Sequence, residues 1–309
     1  LRGIEKARLI DLTWYDTGNN ESYEKTRKHF SKEIVAVKNK EAIFIDGRRV
    51  IKYYDDSNKS NKRIERTKFL NGHSPAVTKL NDNMYSYDHI NGRLLSNILD
   101  DKILKGVLDF YLDRFATEKF KKTDQFYLDC KEMYHNKTYE RIKSFANTPL
   151  DNIKYINGIE VPGIVELLDN IDWDSIYVNA IPARFHGDFQ PENIIHDGVD
   201  FKLIDWRESF GESIDIGDLY YDLGKLYHAL IINGQIVLKR GYDYSISDNN
   251  AYVDYNTKSN LLLLLNYFED FCGVNNLNWD NIELLGILQY IGICSLYKDF
   301  HEGKYGEFL

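Results

Sequence analysis

The stretch of sequence that decides the fold covers residues 185–206 and reads FHGDFQPENIIHDGVDFKLIDW. The pair DG at 197–198 is a two-residue turn signal, and apolar runs flank it on both sides. This pattern is typical of a β-hairpin. A hairpin here would turn the chain back on itself, so that Asp205 lies near the loop that carries Asp188 and Asn193.

These three polar side chains form a set with a definite chemistry. One carboxylate can orient an attacking hydroxyl, while an amide oxygen and a second carboxylate can hold Mg²⁺. The set indicates phosphoryl transfer from a nucleotide, with ATP or GTP as co-substrate and Mg²⁺ as cofactor. Asp, Asn and Gly are also common in turns of any fold. The full pattern H-G-D-x-x-x-x-N, hairpin, I-D-W is far more specific than a bare H-x-D.

At these residues the sequence resembles the aminoglycoside phosphotransferase and choline kinase superfamily, the small-molecule relatives of protein kinases. The resemblance implies that Asp188 is the catalytic base, that Asn193 and Asp205 are Mg²⁺ ligands and that His186 braces the loop. Downstream, GDLYYDL at 217–223 is similar to a G-D-x-x-Y-D-L segment of these families. There the second acid, here Asp222, supports the catalytic loop.

The resemblance implies an α+β, two-lobed, protein-kinase-like fold. A small antiparallel β-sheet lobe with the hinge would occupy residues 31–92, and a larger, mainly helical catalytic and substrate-binding lobe would occupy residues 93–309. The chain has 309 residues, of which 43% are hydrophobic and 28% charged. That length and composition are sufficient for two lobes with a substantial core.

Composition also limits the compartment and the partners. No apolar run approaches the roughly 18 residues of a membrane span. Cys130, Cys272 and Cys294 are widely spaced and form no C-x-x-C pattern, which favours reduced, buried thiols in a cytoplasmic protein. The net charge of −9 argues against a nucleic-acid surface, because phosphate binding calls for a basic patch.

The amino-terminal segment carries a second, shorter resemblance. WYDTGNNESY at 14–23 is similar to the closing W-x-D-x-G-x-x-x-x-Y segment of sugar-phosphate nucleotidyltransferases. It implies that residues 1–30 are the end of an upstream domain in a longer bifunctional protein. The alternative is a helical extension that packs on the small lobe.

The small lobe is predicted from three short β-rich runs between residues 34 and 54, with a helix following to about Leu70. Lys52, on the third strand, stands where the superfamily keeps its nucleotide-phosphate lysine. Glu65 is the sole glutamate on the predicted helix and hence its glutamate candidate for an ion pair with Lys52. One departure is plain: KNKE at 38–41 replaces a glycine-rich loop.

The segment MYSYDHINGRLL at 84–95 resembles the hinge between the two lobes of a kinase. The register implies that the backbone groups of Asp88 and Ile90 face the adenine ring. An edge strand that ends in a turn is the alternative.

The acceptor is less constrained by the sequence. Glu208, Glu212 and Asp215 closely follow Asp205, and a tyrosine-rich segment at 241–255 could fold over them. An acidic, aromatic pocket would favour a cation such as choline or an amino sugar. The same acids could equally form a solvated loop.

The predicted function is therefore transfer of a nucleotide γ-phosphate to a hydroxyl of a small molecule. Choline, ethanolamine, a sugar or an amino sugar in surface-polysaccharide or headgroup metabolism are the open acceptors. A nucleotide-binding pseudokinase or regulatory module is the alternative from another class. A protein kinase is disfavoured, because Gly187 replaces the activating arginine and D-W-R replaces D-F-G.

Overall fold

A computed structural model describes residues 34–38, 40–46, 48–143, 148–232, 236, 240–255, 259–294 and 308–309. The predictions for residues 1–30 lie outside these ranges. Within the described ranges, no helix is long and apolar enough to cross a membrane. Cys130, Cys272 and Cys294 are buried, as the sequence predicted.

The amino-terminal part is a five-stranded antiparallel sheet with one helix against it. In chain order its elements are β1 (Ile34–Lys38), β2 (Glu41–Asp46), β3 (Arg49–Tyr54), α1 (Ser57–Arg66), β4 (Val77–Asn81) and β5 (Met84–Asp88). The strand order is β1-β2-β3-β5-β4. The three predicted strands and the helix are confirmed. The helix begins where the Asp56 side chain accepts a hydrogen bond from the Asn58 N–H at 2.9 Å.

Strand β3 shows why a lysine lies inside this lobe. Side chains alternate between the two faces of a strand, and in β3 the inward positions are Val50, Lys52 and Tyr54. Val50 and Tyr54 form a small core with Tyr85 and Tyr87. Lys52 therefore extends along a buried face, which points it at the junction with the rest of the chain.

The second part of the chain is mainly helical. Its helices are α2 (Asp101–Phe115), α3 (Asp124–Lys131), a π-helical turn (Glu132–Asn136), α4 (Lys137–Ile142), α5 (Ile164–Asp169), α6 (Trp173–Asn179), α7 (Leu219–Ile231), α8 (Ser259–Val274) and α9 (Trp279–Cys294). Its short strands are β6 (Arg93–Leu94), β7 (Tyr155–Ile156), β8 (Ile159–Glu160), β9 (Pro182–Ala183), β10 (Ile194–His196), β11 (Phe201–Leu203), β12 (Gly217–Asp218), β13 (Tyr242–Ser247) and β14 (Asn250–Tyr255).

Helix α7 is the centre of the large lobe. Every residue from Leu219 to Leu230 is buried, and the helix packs against α8 and α9. The apolar stripe of α2 is also buried, with Leu112 partly buried. Because α7 begins at Leu219, inside the GDLYYDL segment, its first turn fixes Asp222 in the interior of the protein.

The predicted hairpin is confirmed, with one correction to its turn. Strands β10 and β11 pair from Ile194↔Leu203 to His196↔Phe201, so the connection is four residues rather than two. The Asp197 carboxylate closes this longer turn by accepting from the N–H groups of Val199 and Asp200 at 2.9 and 2.8 Å.

The predicted hinge runs directly into this hairpin, because β6 pairs with β10. Gly92, just before β6, passes very close to the hairpin backbone. A Cβ atom there would lie 2.5 Å from Ile195 Cγ2 and 2.7 Å from the His196 carbonyl oxygen. A glycine is therefore required at this crossing.

We expect Gly92→Ala to lower the free energy of unfolding by about 2 kcal/mol, as is usual when a packed site must accept an extra carbon. Gly163→Ala is the matched control, because no atom lies within 4 Å of its Cβ position. That control should stay within about 0.5 kcal/mol of the parent protein. Urea titration of both variants checks the difference, and equal stabilities would contradict the close approach.

Candidate active site

Asp188 and Asn193 are joined in a short loop before β10. The Asn193 amide nitrogen donates to Asp188 Oδ2 at 2.8 Å and to the Asp188 carbonyl oxygen at 2.9 Å. Asn193 is only 7% exposed, and within the described part of the chain its Oδ1 accepts no hydrogen bond. The amide group thus fixes the orientation of Asp188 and keeps one oxygen available.

His186 is a brace, as the resemblance implied. It is fully buried, its Nε2 lies 3.0 Å from the Ile204 carbonyl oxygen, and its Nδ1 accepts from the Asp188 N–H at 3.2 Å. Burial is the main reason that the pKa of His186 falls to about 4. A neutral ring with a proton on Nε2 therefore ties the Asp188 loop to the residue before Asp205.

Asp222, on helix α7, supports the same loop through hydrogen bonds to its backbone. Its carboxylate accepts from the N–H groups of His186 and Gly187 at 2.5 and 2.7 Å, and from the Tyr111 hydroxyl at 2.8 Å. Complete burial raises the pKa of Asp222 to about 6, against the effect of these donors. Gly187 has a φ of 89°, and a Cβ there would overlap that of Arg207. These constraints account for the glycine in the HGD sequence.

Asp205 lies where the two lobes meet. It forms ion pairs with the Lys52 ammonium and, at 3.2 Å, with Arg63 Nη1. Lys52 is 3% exposed, and its burial lowers its pKa in spite of the attraction to Asp205. The structure thus brings the predicted phosphate lysine to the predicted metal ligand.

The predicted ion pair between Lys52 and Glu65 is wrong. Glu65 is exposed, and Lys52 pairs with Asp205 instead. On α1 the inward side chains are those of Arg63 and Arg66, because Glu65 falls between them on the opposite side of the helix. The face that was expected to offer an acid offers two arginines.

Arg66 holds the backbone of the loop that carries His186 and Asp188. It is fully buried, it donates to the carbonyl oxygens of Arg207, at 2.7 Å, and of Phe185, and its guanidinium lies 3.6 Å from the Phe185 ring centroid. Burial lowers its pKa to about 9, so it stays charged at neutral pH. Helix α1 is therefore fastened to the loop by cation–carbonyl and cation–π contacts.

Lys225 is a contact of Asp188 that the sequence reading missed. From the buried helix α7, its ammonium lies 3.3 Å from Asp188 Oδ1. Burial opposes ionisation of Asp188, but the positive charge of Lys225 outweighs it and lowers the pKa of Asp188. The only charged residues of α7 are Asp222 and Lys225. An isolated charge in an otherwise apolar helix indicates a buried partner, and this pattern could have identified Lys225 from the sequence.

The oxygen donors fit a magnesium ion. Mg²⁺ prefers a small number of hard oxygen ligands, and Asn193 Oδ1 and the Asp205 carboxylate supply them from neighbouring segments. The Ile204 N–H donates to the Asn193 carbonyl oxygen at 2.9 Å, which fastens these segments together. Among the described residues no group of three or more His, Cys, Asp or Glu side chains could hold a metal ion. A metal site here would therefore depend on the amide oxygen of Asn193 as well as on the Asp205 carboxylate.

The residues of the predicted hinge lie at the end of strand β5. Asp88 ends β5 and Ile90 follows it, while the His89 N–H between them donates to the Arg48 carbonyl oxygen at 2.6 Å. The side chains of Asp88 and His89 are exposed. Any recognition of a base by this segment would therefore use backbone groups, which remains a prediction.

The three acids proposed for the acceptor do not form one cluster. Glu208 lies 3.3 Å from Arg63 Nη2, and Asp215 lies 3.3 Å from Arg184 Nη1. Glu212 is exposed. Two of the three charges are thus neutralised by arginines in different places, and the structure gives no support to an acidic acceptor pocket.

We expect Arg66→Lys to lower the free energy of unfolding by about 2 to 4 kcal/mol, because a lysine cannot reproduce the planar set of donors. The adjacent variant Glu65→Ala should change it by less than about 0.5 kcal/mol. Urea titration compares them. A large loss for Glu65→Ala would instead restore a structural role for that glutamate.

No protein-family model matches this sequence, and no curated protein matches it. Solved structures do match. Aminoglycoside 2'-phosphotransferase-IIIa, solved as its GDP complex, is 13% identical, with 94% of this chain and 96% of that chain covered and a TM-score of 0.51. Ethanolamine kinase from Plasmodium vivax is 14% identical, with 94% of this chain and 87% of that chain covered and a TM-score of 0.48. Choline kinase from Cryptosporidium parvum is 11% identical, with 89% of this chain and 85% of that chain covered and a TM-score of 0.45. The first of these confirms that the chain has the two-lobed α+β fold of the superfamily that its motifs resemble.

Proposed function

We propose that this protein is a nucleotide-dependent phosphotransferase that moves the γ-phosphate of ATP or GTP to a hydroxyl group of a small molecule. One observation carries the proposal: Asp188, Asn193, Asp205 and Lys52 converge on the junction between the lobes from three separate segments. The convergence includes a base, two oxygen donors and a buried cation, which are the groups that phosphoryl transfer requires.

Each residue has a definite task in this proposal. Asp188 is ionised and fixed by Asn193 and Lys225, so it can orient the acceptor hydroxyl and take its proton. Mg²⁺, when bound, would offset the negative charge of the phosphate oxygens. Asn193 and Asp205 would hold the ion, while Lys52 lies close enough to Asp205 to contact the same phosphates.

A nucleotide-binding regulatory protein without turnover is the second candidate. It is favoured by one feature, namely that Asp205 is already paired with both Lys52 and Arg63. Those pairs could hold the site in a form that binds a nucleotide without reaction. The variants below separate the two candidates.

We expect Asp188→Asn to reduce turnover by about a hundredfold or more, on the scale of a lost positioned base. The amide preserves the shape of Asp188, so nucleotide affinity should stay close to that of the parent protein, while thermal stability should fall because the buried Lys225 ammonium loses its partner. Nucleoside diphosphate release in the presence of small hydroxyl acceptors measures the effect. Full activity in this variant would remove Asp188 from the mechanism, and absence of turnover in both proteins with intact binding would favour the regulatory candidate.

We expect Asp205→Ala to weaken nucleotide binding about tenfold or more when Mg²⁺ is present, since the ion loses a carboxylate ligand. Without Mg²⁺ the change should be small or reversed, because Lys52 is freed to contact phosphate. Titration calorimetry with and without the metal distinguishes these cases. Glu212→Ala, which removes an exposed acid from the same loop, is the control and should behave as the parent protein. Equal losses with and without Mg²⁺ would refute the metal role.

A further inference from the structure

A cavity lies in the large lobe between the start of α4, helix α7 and helix α9. Its walls include Lys137, Thr138, Tyr221, Leu285, Leu288 and Gln289. It is separate from the acids that follow Asp205, and none of the residues that the sequence predicted for the site lines it. The wall mixes apolar side chains with polar groups, and the polar groups decide what it can bind.

Those polar groups are available to a ligand. Gln289 is 8% exposed, yet its amide makes no hydrogen bond within the part of the chain that the structure describes. Over the same residues, the Lys137 amine has no hydrogen bond and no carboxylate partner within 4.0 Å. Lys137 is half-buried, so a molecule that enters the cavity meets an amide and an amine that no protein group occupies.

The cavity is surrounded by positive charge. Burial, followed by the charges of Arg207, Lys225 and Arg141, lowers the pKa of Lys137 to about 6, and Glu208 has only a smaller opposing effect. Glu208 is itself held by Arg63 at 3.3 Å. Because a desolvated cation among cations is costly, Lys137 is largely uncharged at neutral pH while the cavity is empty, and an anion that binds beside it would offset that cost and restore its proton.

The same wall reaches the catalytic base. Tyr221 and Lys225 lie one turn apart on α7, so they share a face of the helix, and the Lys225 ammonium is 3.3 Å from Asp188 Oδ1. Arg207 completes the connection, because its Nη1 is 3.5 Å from the Tyr221 hydroxyl. Arg207 and Lys225 therefore place positive charge between the Tyr221 wall of the cavity and Asp188.

We propose that this cavity binds the acceptor through an anionic group, so that the substrate is a hydroxyl compound that also carries a phosphate or a carboxylate. Lys137 and Gln289 would contact the anion, and Arg207 and Lys225 would supply the surrounding field. The inference rests on the proposed function, and it replaces the cationic acceptor that the sequence suggested.

Binding of simple anions tests the site directly. With a non-hydrolysable nucleotide and Mg²⁺ in excess to fill the nucleotide site, inorganic phosphate and acetate are titrated into the full chain, with choline as the cationic probe. We expect one or both anions to bind and Lys137→Met to weaken that binding about tenfold or more, the scale of a charge-assisted hydrogen bond. Lys137→Arg should restore most of it.

Lys131→Met is the matched control, because Lys131 is an exposed lysine near the end of α3 and should bind the anions as the parent protein does. Gln289→Leu gives a second test of the same cavity and should also weaken anion binding. Anion binding that is unchanged in both Lys137→Met and Gln289→Leu would overturn the inference, as would binding of choline in place of the anions.

A transfer assay then separates this inference from the proposed function. Glucose 1-phosphate, glucuronate, glucose, glucosamine and choline are offered with Mg²⁺ and either nucleotide. Turnover with the phosphate or the carboxylate compound that depends on Lys137 supports both proposals and tells the two anions apart. Turnover with choline or glucosamine alone overturns the anionic acceptor and leaves the kinase assignment intact. Anion binding that depends on Lys137, without turnover on any compound and without Asp188-dependent nucleotide hydrolysis, supports the site and counts against the kinase.

Discussion

The Asp222 carboxylate is the interaction on which the rest of the site depends. It is buried on α7, and the nearest donors that can satisfy it are the N–H groups of His186 and Gly187. Because an unpaired buried charge costs several kcal/mol, the loop that carries Asp188 is fixed to α7, whose residues from Leu219 to Leu230 are all buried. His186 then carries that order onward to the Ile204 carbonyl, and so to Asp205. The geometry of the site thus begins with one charge that cannot be left unsatisfied.

A second set of constraints links the small lobe to this loop, and it is cationic. Lys52, Arg63 and Arg66 all reach the loop region from the small lobe. Arg66 contacts backbone carbonyls, so its attachment does not depend on the charge state of any acid. Lys52 and Arg63 share Asp205, so their positions respond to whatever else binds that carboxylate. The attachment through Arg66 is therefore independent of the charge on Asp205, whereas the attachment through Lys52 and Arg63 depends on it.

The sequence predicted the parts of this arrangement that are local along the chain. The hairpin, the β3 lysine and the GDLYYDL segment follow from short patterns, because turn chemistry and strand alternation act over a few residues. It failed where a partner is chosen in three dimensions. Glu65 was selected by residue type, but helix periodicity turns Arg63 and Arg66 inward and leaves Glu65 exposed. The contact of Lys225 with Asp188 joins residues 37 positions apart in sequence, and no local pattern specifies it.

The charge of the acceptor pocket is a second property that the sequence alone does not predict. A net charge of −9 and three acids after Asp205 suggested a negative site, yet net charge describes mainly the solvated surface. Exposed charges are screened within about 8 Å at physiological ionic strength, whereas desolvated charges act on one another with far less screening. Glu208 and Asp215 are matched by Arg63 and Arg184, so they contribute little field beyond their partners. Lys137 has no such match among the described residues, and burial with the neighbouring cations lowers its pKa to about 6. The charge inside the pocket therefore depends on burial and on neighbouring groups in three dimensions, and a count of acids and bases along the chain cannot identify it.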